Sequence, residues 1–173
     1  MPRHYSAALP IAYVLLRILV VINWLIGAAI LVLLFAMPTR EWIMISLHLS
    51  PGTAAERIIW GLRGIAVVGL VTIPINYAIL KRLLTMVGSV RAGNPFVAAN
   101  AYRLNTIAWL LLGLQLLGLV VAAIVRFIST KAHPIDIEAG FSVNGWLAVL
   151  LTFILARVFA EGTLMREDLD GTV

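Results

Sequence analysis

KRLLTMVGSVRAGNPFVAANAYRL, residues Lys81 to Leu104, decides how the chain is laid out. Its first half keeps Leu83, Leu84, Val87 and Val90 on one side at helical spacing and ends at Gly93, a helix-stopping residue. In the second half Asn94 suits an N-cap and Pro95 the first turn of a new helix running through PFVAANAYRL. The two arms are about 11 and 9 residues, or roughly 16 Å and 13 Å as helices, and a tight turn makes them a helical hairpin. Lys81, Arg82, Arg91 and Arg103 make the stretch basic, with no acid in it.

On either side the chain is strongly apolar. Of 173 residues, 62% are hydrophobic and only 12% charged, and the mean hydropathy is +1.02; soluble domains carry about a quarter charged residues. This composition implies an integral membrane protein. Four segments, 11–36, 58–80, 104–128 and 141–160, are each long enough to cross about 30 Å of hydrocarbon as a helix, the form that satisfies its own backbone in lipid. The expected fold is all-α: one domain over 1–173, a four-helix transmembrane bundle with the hairpin between helices 2 and 3. The apolar run after the basic N-terminus exceeds the about 7 to 15 residues of a signal-peptide core, so it reads as a retained first span.

Loop charge sets the orientation. The first connection mixes Arg40, Glu41, Glu56 and Arg57, and the third mixes Lys131, Asp136 and Glu138, whereas the second is purely basic. The positive-inside rule places the second loop and both termini in the cytoplasm, and Arg3 and Arg17 agree. In the outer loops Ile43, Ile45, Leu47 and Leu49 alternate with polar residues or Met44, as Ile135 and Ile137 do with Asp136 and Glu138. Two such extended segments either pair into a small outer β-cap or remain independent loops.

Arg17, Arg63 and Arg157 fall near the membrane interfaces, where long side chains snorkel. The groups left at depth are neutral: Asn23, Thr72, Asn76, Gln115 and Thr152, with Pro74 freeing the Leu70 carbonyl beside Thr72 and Asn76. They read as glue between helices before they read as a permeation path. Cysteine is absent, so thiolate metal sites and cysteine nucleophiles are excluded. His4, His48 and His133 stand apart and no phosphate-binding, dinucleotide, zinc-protease or serine-hydrolase motif occurs. No enzyme, cofactor, metal site or direct nucleic-acid binding is expected; the net charge of +5 marks membrane flanks.

GNPF, the following NAYRL and the closing ARVFAEGTLMREDLDGTV together resemble the YoaS-like family of bacterial four-span membrane proteins, domain of unknown function 2975. The residues carrying the likeness are Gly93, Pro95, Phe96, Asn100, Arg103 and Leu104, then Phe159, Gly162 and Leu164 before an acidic end. The resemblance implies a multi-pass protein of the bacterial inner membrane, and a helix-turn-helix transcription regulator as a cytoplasmic partner. The expected partner surface is the hairpin with the C-terminal tail: Arg91, Asn94, Pro95, Phe96, Asn100, Arg103, Glu167, Asp168 and Asp170. There the acidic tail either docks on the basic hairpin or stays solvated while lipid head groups hold the basic flank. A small-molecule or ion transporter using the Pro74 helix and Gln115, in a homo-oligomer, is the alternative; an intramembrane enzyme ranks third.

Overall fold

Consecutive apolar residues too long for any soluble helix become, in lipid, four helices that bond their own backbones. The computed structural model describes residues 8–36, 53–129 and 141–170. Its elements are α1 (Ala8–Ala36), α2 (Thr53–Arg91), α3 (Ala98–Ile128) and α4 (Val143–Asp170). All four are long and apolar enough to cross a membrane, and the chain is a multi-pass membrane protein. With 39 residues α2 is about 58 Å long, far more than the hydrocarbon core requires, so it projects beyond it.

The helices pack in chain order. Close contacts join α1 to α2, α2 to α3 and α3 to α4, and among the described residues no other pair of helices packs together. The four expected helices therefore stand as an open row with α1 and α4 at its two edges. The reason lies at the contacts, each of which is made by a small residue that lets one neighbour approach. A Cβ on Gly27 of α1 would come within 3.1 Å of Ile73, and one on Gly61 of α2 would overlap Ile128 of α3. Likewise a Cβ on Gly145 of α4 would overlap the Gln115 amide of α3. Aromatic pairs add to the outer seams: Trp24 with Tyr77 at 5.6 Å and Trp109 edge-on to Phe153 at 5.4 Å. Most large apolar side chains between them stay exposed, facing lipid on both sides of the row.

The deep polar residues sit at these seams. Asn23, buried in α1, donates from Nδ2 to the Ile73 carbonyl at 3.1 Å, so the carbonyl met across the interface near Pro74 is that of Ile73. Thr72 donates to the Gly69 carbonyl on its own helix, and Asn76 is half-buried on α2.

Helix ends follow local chemistry. The α2 terminus places Gly93 at φ 83°, with Gly93 N–H donating to Val90 O at 3.0 Å and Asn94 N–H to Ser89 O at 3.0 Å. That pair of bonds is the Schellman stop, and a side chain at Gly93 would strain it. The next helix, however, starts later than expected: Asn94 is not its N-cap and Pro95 is not its first turn. Val97, at φ −134° and ψ 143°, precedes the first helical residue, and residues 94–97 run as non-helical chain. At the other end Ser142 caps α4 by accepting the Gly145 N–H at 3.2 Å.

No strand occurs among the described residues. Of the two segments considered for a β-cap, residues 42–50 and 134–140 lie outside the described residues, while Val143 and Asn144 belong to α4. Past residue 160, where the fourth span was expected to end and the tail to begin, α4 continues as helix to Asp170, with an Arg157–Glu161 pair at 2.8 Å one turn apart.

Candidate functional site

The delayed start of α3 leaves four residues, Asn94 to Val97, whose backbone groups need partners from elsewhere. Asn100 supplies two of them, its side chain meeting the Pro95 carbonyl and its N–H the Val97 carbonyl. It lies three residues after the cap, its side chain fully buried, and its Nδ2 group donates to Pro95 O at 2.8 Å and to Ser89 Oγ at 2.7 Å. Its Oδ1 accepts from Arg103 Nη1 at 2.7 Å, and the Ser89 hydroxyl donates to Met86 O at 2.7 Å. Every polar atom of the amide is thus used. The orientation of that amide is fixed chemically, because the Pro95 carbonyl demands a donor and the guanidinium an acceptor.

From the other side α4 completes the turn. The Phe96 ring stacks obliquely on Phe159 at 5.2 Å. It lies over Gly162, where a Cβ would come within 3.1 Å of the ring, so the absence of a side chain there seats it. Arg166 reaches back to Asn94 Oδ1 at 3.3 Å and to Phe96 O at 3.5 Å. Despite these contacts Phe96 is 42% exposed, and Tyr102, Leu164 and Met165 are exposed around the same end.

The structure therefore brings together Asn94, Pro95, Phe96, Asn100 and Arg103 from the expected set. Arg91 is placed elsewhere, with its guanidinium 5.5 Å from the Tyr13 ring centroid on α1. Among the tail acids Asp168 is exposed on α4, while the side chains of Glu167 and Asp170 lie outside the described residues. The contacts that join α4 to the turn are made by Phe159, Gly162 and a cation, Arg166.

Sequence reasoning did not single out Ser89 or Arg166. For Ser89 the signal was present in part: a small hydroxyl one turn before a stop glycine, with a polar residue, Asn100, seven residues past that glycine. Arg166 gave no such signal, being one charge among acids.

Two further grooves open on the row. One, of about 380 Å³ between α3 and α4, is floored by Ala101, Ala156 and Ala160 with Asn105 and Arg157 at its edge. The other, of about 620 Å³ between α2 and α3, is lined by Gly61, Gly64, Val120 and Ala123 with Arg57 and Trp60. Among the described residues no three His, Asp or Glu side chains gather closely enough to hold a metal ion.

A family model described as "Protein of unknown function (DUF2975)" matches residues 38–173. The chain belongs to the DUF2975 family. The match takes in α2, the turn, α3 and α4, and so the whole of the Asn100 cluster and its α4 support. The α1 helix of this DUF2975 chain lies outside it. No curated protein and no solved structure matches the chain.

Proposed function

We propose that this chain is a non-enzymatic protein of the bacterial inner membrane whose turn end lies in the cytoplasm and binds a protein partner. The observation that carries the reading is the buried, fully bonded Asn100, which fixes a short non-helical segment so that it presents Phe96. A connection that served only to join two helices would need the Gly93 stop and little else. Here one buried amide, Arg103, Ser89 and Arg166 hold one loop, and the ring it displays is partly open to solvent. An anchored aromatic with a polar rim is the usual centre of a protein interface. Asn94 and Arg166 form that rim, Tyr102, Leu164 and Met165 extend it, and Asp168 on the last turn of α4 contributes charge. The partner class comes from the family resemblance: a small helix-turn-helix transcription regulator held at the membrane. The cytoplasmic placement is supported by the all-basic connection of Lys81, Arg82, Arg91 and Arg103.

A photoreactive amino acid at Phe96 tests the reading in cells. It should crosslink to one soluble protein, and Asn100→Ala in the same chain should reduce that product severalfold while membrane insertion is retained. Crosslinks to lipid alone, or a yield unaffected by Asn100→Ala, would overturn it.

A further inference from the structure

At the turn end, one helix away from Phe96, two arginines converge on one ring. Tyr13 and Arg17 are one turn apart on α1, and Arg17 Nη2 donates to the Tyr13 hydroxyl at 2.9 Å. The Arg17 guanidinium carbon is 4.9 Å from the Tyr13 ring centroid, and that of Arg91, at the last residue of α2, is 5.5 Å from the same centroid. Each cation is favoured by the ring's negative face, yet two guanidiniums sharing one ring repel each other.

Among the described residues no carboxylate pairs with Arg17 or Arg91 to offset that repulsion. The sequence has no Asp or Glu from residue 1 to residue 36, none in the 92–97 connection and none in α3. The only acid in α2 is Glu56, about 52 Å along the helix from Arg91. Of the α4 acids whose side chains are described, Glu161 holds Arg157 and Asp168 is exposed on the last turns of that helix. Other cations near this end are seated separately: Lys81 lies 6.0 Å from the Tyr77 ring centroid, Arg82 donates to Ala78 O at 3.0 Å, and Arg103 donates to Asn100 Oδ1 at 2.7 Å.

We infer that the Arg17–Tyr13–Arg91 cluster binds the phosphate of an anionic phospholipid. The forked guanidinium matches phosphate oxygens two at a time, and a phosphate between two forks replaces repulsion with attraction. The surroundings select a lipid over a free anion. Val14, Leu15 and Ile18, the residues around Tyr13 and Arg17 on α1, are exposed apolar side chains that offer a track for the acyl chains. The ligand thus meets charge at its head and hydrocarbon along its tail, and it ties α1 to the end of α2. This assignment is independent of the partner reading, since it rests on α1 and α2 and not on Phe96.

The test uses the full chain, delipidated in mild detergent, with phosphatidylglycerol as the probe and bound lipid counted by native mass spectrometry. One phosphatidylglycerol should remain bound per chain through detergent exchange, with phosphatidylcholine held more weakly. Arg17→Gln and Arg91→Gln should each weaken retention by about tenfold, the loss of one charge-assisted phosphate contact. Arg157→Gln, an arginine at the same end already paired within its helix, should leave it unchanged. The unmodified chain gives a second reading that requires no variant: raising sodium chloride from about 0.05 M to about 0.5 M should release phosphatidylglycerol while phosphatidylcholine stays put. Equal retention of both lipids, retention unaffected by salt or by both Gln variants, or displacement of the lipid by millimolar inorganic phosphate would each overturn the inference.

Discussion

A single asparagine governs the turn. Asn100 is fully buried with its two amide hydrogens and its oxygen all engaged inside the protein, so truncating it leaves a guanidinium, a hydroxyl and a carbonyl short of partners in one place. Leaving a buried polar group unmatched costs about 1 to 3 kcal/mol, more than the net worth of the bond itself. Asn100→Ala should therefore lower stability in detergent by about 2 kcal/mol or more and open Arg91 to trypsin. Asn100→Asp should not rescue it, because a carboxylate facing the Pro95 carbonyl has no proton to give. Thermal unfolding with limited proteolysis checks both; a loss below the size of an ordinary surface substitution would show that the network carries no weight. The sequence pointed to Asn100 only through family likeness. Its role depends on Ser89 and Pro95 standing on the same side of a Gly93 turn, a geometry that spacing along one helix does not reveal.

At the level of helices, seams made by glycine explain which neighbours meet. The sharpest case is α3 against α4, where Gln115 lies directly on Gly145. Gly145→Ala gains intrinsic helix preference of about 1 kcal/mol but must push the Gln115 amide aside. Because Gln115 has no hydrogen bond to another described residue across this seam, Gln115→Leu alone should shift stability by about 1 kcal/mol or less. The pair tests the contact: the flexible end of Gln115 can swing away, so Gly145→Ala should be near neutral or stabilise by less than the about 1 kcal/mol of helix preference, and Gln115→Ala in the same chain should let the full gain appear. A strictly additive double mutant would place the two residues out of contact. Helix existence was legible throughout, since runs of Leu, Val and Ile this long have one solution in lipid. Boundaries were less so. The Gly93 stop was readable because a left-handed residue ends a helix locally, whereas the start at Ala98 was not, because the carbonyls before it are held by Asn100 and by Arg166 more than sixty residues away. The persistence of α4 to Asp170 was hidden too, as an acidic end with a Gly at 162 reads as a tail until Phe96 is found covering that glycine.

For the whole molecule, Tyr13 meeting Arg91 and Arg166 meeting Asn94 set the start of α1 and the end of α4 at the same end of the row as the turn. The chain contains no cysteine, so one introduced thiol reports alone. A cysteine at Ala92, exposed in the turn, should resist an impermeant reagent in intact cells and react after permeabilisation, while one at Ser142, exposed before α4, should react from outside. The reverse pattern would invert the topology. Charge and hydropathy conveyed the number of spans, but not that they stand in a line, because apolar residues outnumber the seams and nothing in composition says which are covered. That line has a consequence for passage across the bilayer. A closed bundle has an interior that water or an ion can thread; a sheet of helices one layer thick has two greasy faces and no lumen. Any conducting path would have to be fenced by several chains standing in a ring, with walls drawn from faces that a solitary chain gives to lipid.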